Sequence, residues 1–223
     1  MITSVKLSIV IVTFNTWELL RICLNSLLAS EDWSIDGTHL RQAKGGFVAE
    51  VIAVDNASVD GTPSLMRSEF PWVRLVANEE NAGFARANNQ GIGLAFGQYV
   101  FLLNPDTEII PGAISAAVEF MEEHLEAGAL GFQLLNPDRS LQPSGRDFPR
   151  LVTVWRDLLP LPGGLRSATR SRTEQRDYSQ ICEVDEVSGA AVLLRRRALD
   201  QVGLLDEDFF FLGEDVDLCW RLR

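Results

Sequence analysis

Three groups of carboxylates carry most of the chemistry this sequence can offer. Asp55 ends the apolar run Val51–Val54 and is followed by Asn56-Ala57-Ser58-Val59-Asp60-Gly61. A carboxylate in that place can accept the imino N–H of a uracil or thymine ring, a contact that an adenine ring or NAD does not offer. Asp106 closes Asn104-Pro105-Asp106 behind a second apolar run, Tyr99–Leu103. It is a hard oxygen ligand suited to Mg²⁺ or Mn²⁺ shared with substrate phosphates, although the tripeptide is also ordinary turn chemistry. Gly213-Glu214-Asp215-Val216-Asp217 sets three carboxylates within four residues. The first turn of a helix favours acids, but three exceed what a cap needs, and mutual repulsion would raise a pKa toward general-base duty. Just upstream, Asp206-Glu207-Asp208 runs into Phe209-Phe210-Phe211, rings read as packing rather than as a sugar platform. Asn81-Ala82-Gly83-Phe84-Ala85-Arg86-Ala87-Asn88-Asn89 places small residues, one cation and amides at a helix start. There the backbone can approach a diphosphate, and the helix dipole favours the anion.

These groups need a scaffold that brings them to one place. Leu7–Val12 is a near-continuous β-rich run, as expected of a strand buried on both faces. Trp17, Leu20, Leu24, Leu27 and Leu28 then recur at helical spacing, with Asn15 and Glu18 resembling a capping box. Val51–Val54, Val73–Ala77 and Tyr99–Leu103 read as further strands. Thr62-Pro63 reads as an N-cap followed by proline at the first helical position. Helices are expected over Ala82–Phe96 and from Pro111 to about His124. The alternation predicts an α/β fold with a mostly parallel sheet covered on both faces. Ligands of such a sheet bind beyond the carboxyl ends of its strands, and four successive strand ends here carry amides, hydroxyls or carboxylates. Farther on, Ala129–Leu135 and Val187–Leu194 read as strands, Arg196–Val202 as a short helix, and a last helix starts near Gly213. Glu31–Phe47 reads as a surface insertion. About 151–180 reads as a variable loop, with Pro160, Pro162, Gly163, Gly164 and several arginines.

At 223 residues, with 46% hydrophobic and 23% charged side chains, the composition is that of one cored domain. With 31 acidic against 20 basic residues the net charge is -11, which argues against a protein that coats nucleic acid. Cys23, Cys182 and Cys219 form no CxxC pair, so neither a disulfide scaffold nor a zinc knuckle is expected, and reduced thiols suggest a cytoplasmic setting. No stretch approaches the apolar length of a membrane span. His39 and His124 are too isolated for a zinc or Ser/His/Asp site. Thr13-Phe14-Asn15-Thr16-Trp17 after the first strand has neither glycine nor cation. That disfavours both a sugar nucleotidyltransferase and an NAD enzyme.

Taken together, six blocks in order resemble the family 2 glycosyltransferases of the GT-A (Rossmann-like) fold, particularly the bacterial rhamnosyltransferase-like branch. They are Ser8–Asn15, Val54–Ser58, Asn81–Gly91, Leu103–Thr107, Val187–Ala191 and Gly213–Cys219. The resemblance implies an inverting transfer of a sugar, rhamnose among the candidates, from a UDP or dTDP donor to an acceptor hydroxyl of a polysaccharide or lipid-linked glycan. It implies that Asp55 reads the pyrimidine, with Thr13, Phe14, Asn15, Asn56, Ser58, Asn81, Gly83, Phe84, Arg86, Asn88 and Asn104 on the donor side. Asp106 would match the metal-binding end of a DxD motif whose first carboxylate is here Asn104, the divalent cation being Mg²⁺ or Mn²⁺. Asp215 would be the base that deprotonates the acceptor, Glu214 would orient or bind it, and Ser188, Gly189 and Ala190 would border sugar and acceptor. One domain, 1–223, is expected, with a nucleotide-binding half at 1–110 and an acceptor half at 111–223. Relatives continue beyond the helix that carries Asp215, whereas eight residues follow it here, so a truncated C-terminal part is expected. A donor-binding but catalytically incomplete protein is the alternative. The arginines of 151–180 read as a solvated loop, with peripheral contact at the inner face of the membrane as the alternative.

Overall fold

The computed structural model describes residues 4–43, 46–148 and 177–223. Up to residue 176, the loop expected at about 151–180 lies outside the described residues. Strand β1 (Val5–Thr13) is followed by helix α1 (Trp17–Ser30), β2 (Trp33–Asp36), β3 (His39–Gln42), β4 (Val48–Asp55) and α2 (Thr62–Glu69). Then come β5 (Arg74–Ala77), α3 (Phe84–Leu94), β6 (Tyr99–Leu103) and α4 (Ala113–Glu123). Short strands follow at β7 (Ala129–Gly131), β8 (Leu134–Leu135), β9 (Leu141–Gln142), β10 (Gly145–Arg146) and β11 (Glu186–Val187). Strand β12 (Ala191–Arg195), α5 (Arg196–Val202) and α6 (Glu214–Leu222) complete the order.

The central sheet runs β2-β3-β4-β1-β6-β12-β7, with β5 also pairing β4. Strands β5, β4, β1 and β6 are parallel, which makes residues 1–110 the expected α/β unit. Its central strands are apolar throughout because both faces are covered. Ile9 and Ile11 of β1 pack with Leu20, Leu24, Leu27 and Met121 on one face. On the other, Val10 packs with Ala85, Ile92, Leu102 and Leu218. Strand β12 then joins β6 antiparallel over five residue pairs, Ala191↔Leu103 to Arg195↔Tyr99. The buried Arg195 side chain donates to the carbonyls of Met121, His124 and Ala127, supplying partners for the end of α4.

Several local expectations are corrected. Glu31–Phe47 is not a mere surface insertion, because β2 and β3 form an antiparallel hairpin that extends the sheet beside β4, with Leu40 and Gln42 buried. No Asn15/Glu18 capping box forms. Thr16 is the N-cap residue of α1, and the Trp17 N–H is taken by Asp60 Oδ2 at 3.1 Å. Gly61, with φ 89°, is the N-cap position of α2, so Thr62 is its first residue rather than its cap. Ala129–Leu135 splits into β7 and β8, and Val187–Leu194 breaks at Ser188-Gly189-Ala190. No helix among the described residues is long and apolar enough to cross a membrane.

Candidate active site

The parallel register carries two loops to the same edge. Thr13 lies opposite Asp55, and the Asn56 N–H donates to the Thr13 carbonyl at 2.8 Å just past the ladder. Asn15, in the left-handed region at φ 54°, ties these loops together. Its N–H donates to Ser58 Oγ, and its side-chain carbonyl accepts the Val59 N–H. Thr13 is buried against Thr16, whereas Phe14 is exposed. Asp55 is 1% exposed. Its Oδ2 accepts the Ser58 N–H at 2.9 Å, and its Oδ1 is buried with no partner. A buried carboxylate oxygen left unsatisfied is costly, and a ligand N–H is the natural group to complete it.

Asn56 has the opposite character. Its Oδ1 accepts from Asn78 Nδ2 and the Ala82 N–H, while its Nδ2 donates to Asn81 Oδ1 and the Gly83 carbonyl. All four positions are filled, so Asn56 and Asn81 brace the loop that enters α3 instead of reaching outward. At the entry to α3, part of the expected diphosphate cradle is taken up within the chain. The N–H groups of Ala82, Gly83 and Phe84 go to Asn56 Oδ1, Asn81 Oδ1 and the Phe210 carbonyl. Gly83 is required there by its φ of 84° and by Phe210, which a Cβ would meet at 2.9 Å. Asn88 is buried and donates back to the Phe84 carbonyl. Arg86 remains exposed, 3.9 Å from Glu207, and lines a polar cleft of about 560 Å³ with Asn78, Glu79 and Gln90.

At the end of β6, the Asn104 N–H donates to the Ala190 carbonyl at 2.9 Å, which fixes the neighbouring strand end. The Asn104 carbonyl accepts from Thr107. Asp106 is exposed, and no hydrogen bond or ion pair engages its carboxylate among the described residues. Beneath it, Cys23 is pushed up to about 12 by burial and by the charges of Asp106 and Glu108. No group of three or more His, Cys, Asp or Glu side chains among the described residues could hold an ion. One free carboxylate therefore fits a divalent cation that takes its other ligands from phosphate and water, and does not fit a cation held by protein alone.

The third strand end belongs to β12. Gly213, at φ 101°, is the N-cap position of α6, and the first turn carries Glu214, Asp215 and Asp217. The Gly189 N–H donates to Asp215 Oδ2 at 3.3 Å, so the break in the expected strand at residues 188–190 is what meets the carboxylate. Ser188 Oγ accepts the Ala190 N–H, holding that bend. Glu214 is buried and its Oε2 lacks a partner. Burial and the Asp215 charge hold its pKa above the ordinary carboxylate value. Glu186, unremarked in the sequence, is raised by burial and by Asp215, against the opposing pull of Arg146. Asp217 instead pairs with Arg221 at 2.6 Å and serves the helix. Phe210 and Phe211 are exposed, at 62% and 66%, which overturns their reading as packing.

Asp55, Thr13, Asn104 with Asp106, and the 188–190 bend with Asp215 thus follow one another along β4, β1, β6 and β12. Three inter-strand steps of about 4.8 Å span roughly 14 Å, the scale of a nucleoside diphosphate bearing a sugar. An open sheet with its functional groups gathered at the carboxyl ends of parallel strands, beside an inserted antiparallel strand, is an arrangement suited to binding a nucleotide. Residues 8–203 match the family model described as "Glycosyl transferase family 2", and the chain belongs to that family. It is 36% identical over 185 residues to the N-acetylglucosaminyl-diphospho-decaprenol L-rhamnosyltransferase of Mycobacterium tuberculosis, covering 77% of this chain and 60% of that protein. The O-antigen biosynthesis protein RfbC of Myxococcus xanthus is 27% identical, covering 98% of this chain and 16% of its own length. The chain therefore spans 60% or less of these two relatives. Among solved structures, the mannosyltransferase PcManGT from Pyrobaculum calidifontis, in complex with GDP-Man and Mn²⁺, superposes with a TM-score of 0.62 at 20% identity. That match covers 96% of this chain and 50% of the other. S. aureus TarS 1-349 in complex with UDP gives a TM-score of 0.62 at 18% identity, covering 96% and 54%. These likenesses establish the fold.

Proposed function

We propose that this chain moves a sugar, rhamnose being the first candidate, from a UDP- or dTDP-sugar to an acceptor hydroxyl, with inversion at the transferred carbon. The single observation behind this is the ordering along one rim of a base-reading carboxylate, a free carboxylate for a phosphate-bound cation, and Asp215. Residues 1–110 hold the donor and residues 111–223 serve the acceptor. Asp55 Oδ1 accepts the imino N–H of the pyrimidine, which completes its hydrogen bonding. Asp106 would hold a divalent cation, Mg²⁺ or Mn²⁺, which would supply charge neutralisation for the departing diphosphate. Asp215 takes the proton of the acceptor hydroxyl. The acceptor oxygen then bonds to the anomeric carbon as the bond to the diphosphate breaks, and Ser188, Gly189 and Ala190 border the reacting sugar. Glu214 orients that sugar or acceptor with its unpartnered oxygen. A lipid-linked glycan at the inner face of the membrane is the favoured acceptor, because the mycobacterial relative is named for a decaprenol-linked one.

Calorimetry with UDP and dTDP, each with and without Mg²⁺ or Mn²⁺, tests the donor side. Binding of the pyrimidine nucleotides that strengthens with the cation is the expected result. Equal binding of ADP would refute the assignment of Asp55.

A further inference from the structure

The loop that delivers Asp215 is fastened to α3 chiefly through the side chain of Asn89. Residues 204–213 run from α5 to α6 and end in two left-handed residues, Leu212 at φ 68° and Gly213 at φ 101°. Leucine adopts that conformation only under strain, so the loop around it must be held. Asn89, on α3, grips the beginning of that loop. Its Oδ1 accepts the Leu205 N–H at 3.1 Å, and its Nδ2 donates to the Leu205 carbonyl at 2.8 Å and to Glu207 Oε1 at 3.0 Å. The amide thus imitates a strand neighbour and pins both backbone groups of Leu205. Farther along, the Phe210 carbonyl accepts the Phe84 N–H at the other end of the same helix stretch. Two attachments to α3, one at each end, therefore precede the turn into Glu214 and Asp215. The sequence motif contains both Asn88 and Asn89, but Asn88 is spent inside α3.

We infer that Asn89 is a positioning residue: by clamping Leu205 and Glu207 to α3, it holds the 204–213 loop so that Asp215 stands at the rim beside Gly189. The inference rests on Asp215 acting as the base. Asn89 touches no reacting atom on this account. Its removal leaves the Asp55 and Asp106 side of the rim intact while letting the base drift.

The test uses the Asn89→Ala chain in two measurements, with Asp215→Asn alongside. Hydrogen–deuterium exchange followed by mass spectrometry should show peptides covering 204–213 exchanging at least tenfold faster, with β1, β4 and β6 unchanged. Release of nucleoside diphosphate, screened over UDP- and dTDP-sugars with water or added glycan as acceptor, should fall at least tenfold in kcat. Affinity for UDP or dTDP should stay within twofold. Unchanged exchange in the loop, or faster exchange spread evenly over the sheet, would overturn the clamp. Asn89→Ala at full kcat, beside an inactive Asp215→Asn, would overturn the positioning role alone. An Asp215→Asn chain with wild-type turnover would instead remove the base assignment, and a failure of every nucleotide to bind would remove the donor reading.

Discussion

Replacing Asp55 by asparagine separates the nucleobase contact from the architecture that surrounds it. The amide has the same shape, and its carbonyl can keep the 2.9 Å hydrogen bond from the Ser58 N–H. What changes is the other position, where the unpartnered Oδ1 becomes an NH₂. A pyrimidine imino N–H would then meet a donor. The loss is one hydrogen bond to a charged group, about 1.5–3 kcal/mol. At about 1.4 kcal/mol per tenfold change, UDP or dTDP should bind roughly 10- to 150-fold more weakly. The same swap should favour CDP, whose ring nitrogen accepts where uracil donates, so the UDP-to-CDP preference should narrow or invert. Titration calorimetry of UDP, dTDP and CDP against both chains, at fixed cation and salt, reads this directly. An Asp55→Asn chain that bound UDP as tightly as the original, with CDP unchanged, would show that the unpartnered oxygen does not face the base.

Glu214→Gln removes a carboxyl whose pKa burial and Asp215 raise in the folded chain. The folded state then holds more protons than the unfolded one between the ordinary value of 4.5 and the raised one, so stability declines as pH rises through that window. The variant should accordingly gain stability over the original at pH 7.5 and show less advantage at pH 5 in urea titrations, with the reverse ordering counting against the assignment. Asp60→Ala should cost about 1–3 kcal/mol, since one carboxylate supplies the first N–H partners of both α1 and α2. That is a Tm lower by roughly 2–10 °C in a thermal melt. Although burial pushes the Asp60 pKa up, the hydrogen bonds from Thr62 and Trp17 outweigh it and hold the carboxyl below the ordinary value of 3.8. The difference between the two chains should therefore persist at neutral pH and vanish on strong acidification.

The parts of the molecule legible in the sequence are those governed by local pattern. Strands β1, β4 and β6 are buried on both faces, so their apolar runs stand out, and whatever follows them must lie on the rim. Asp55 and Asp106 were found by that rule, and Asp215 by the three carboxylates crowded into the first turn of its helix. The β2–β3 hairpin was not, because its strands alternate polar residues with Ile35 on the open side and Leu40 inside, a pattern an irregular loop can share. Capping of α1 escaped for a different reason: its partner, Asp60, lies 43 residues away in the chain. The same holds for the Ala82, Gly83 and Phe84 N–H groups at the entry to α3, which are taken by Asn56, Asn81 and Phe210 only once the fold brings those groups in. Of two adjacent asparagines, Asn88 and Asn89, nothing local says which turns inward. A helix rotation of about 100° per residue separates them, and tertiary packing makes the choice.

Strand β12 bonds to β6 along all five of its residues and to β7 on its other edge. The parallel strands and the antiparallel strand that follows them consequently share one unbroken ladder among the described residues. The segments that leave this ladder at the rim, residues 56–61, 104–112 and 204–213, are thereby carried on a base whose strands are fixed by continuous pairing.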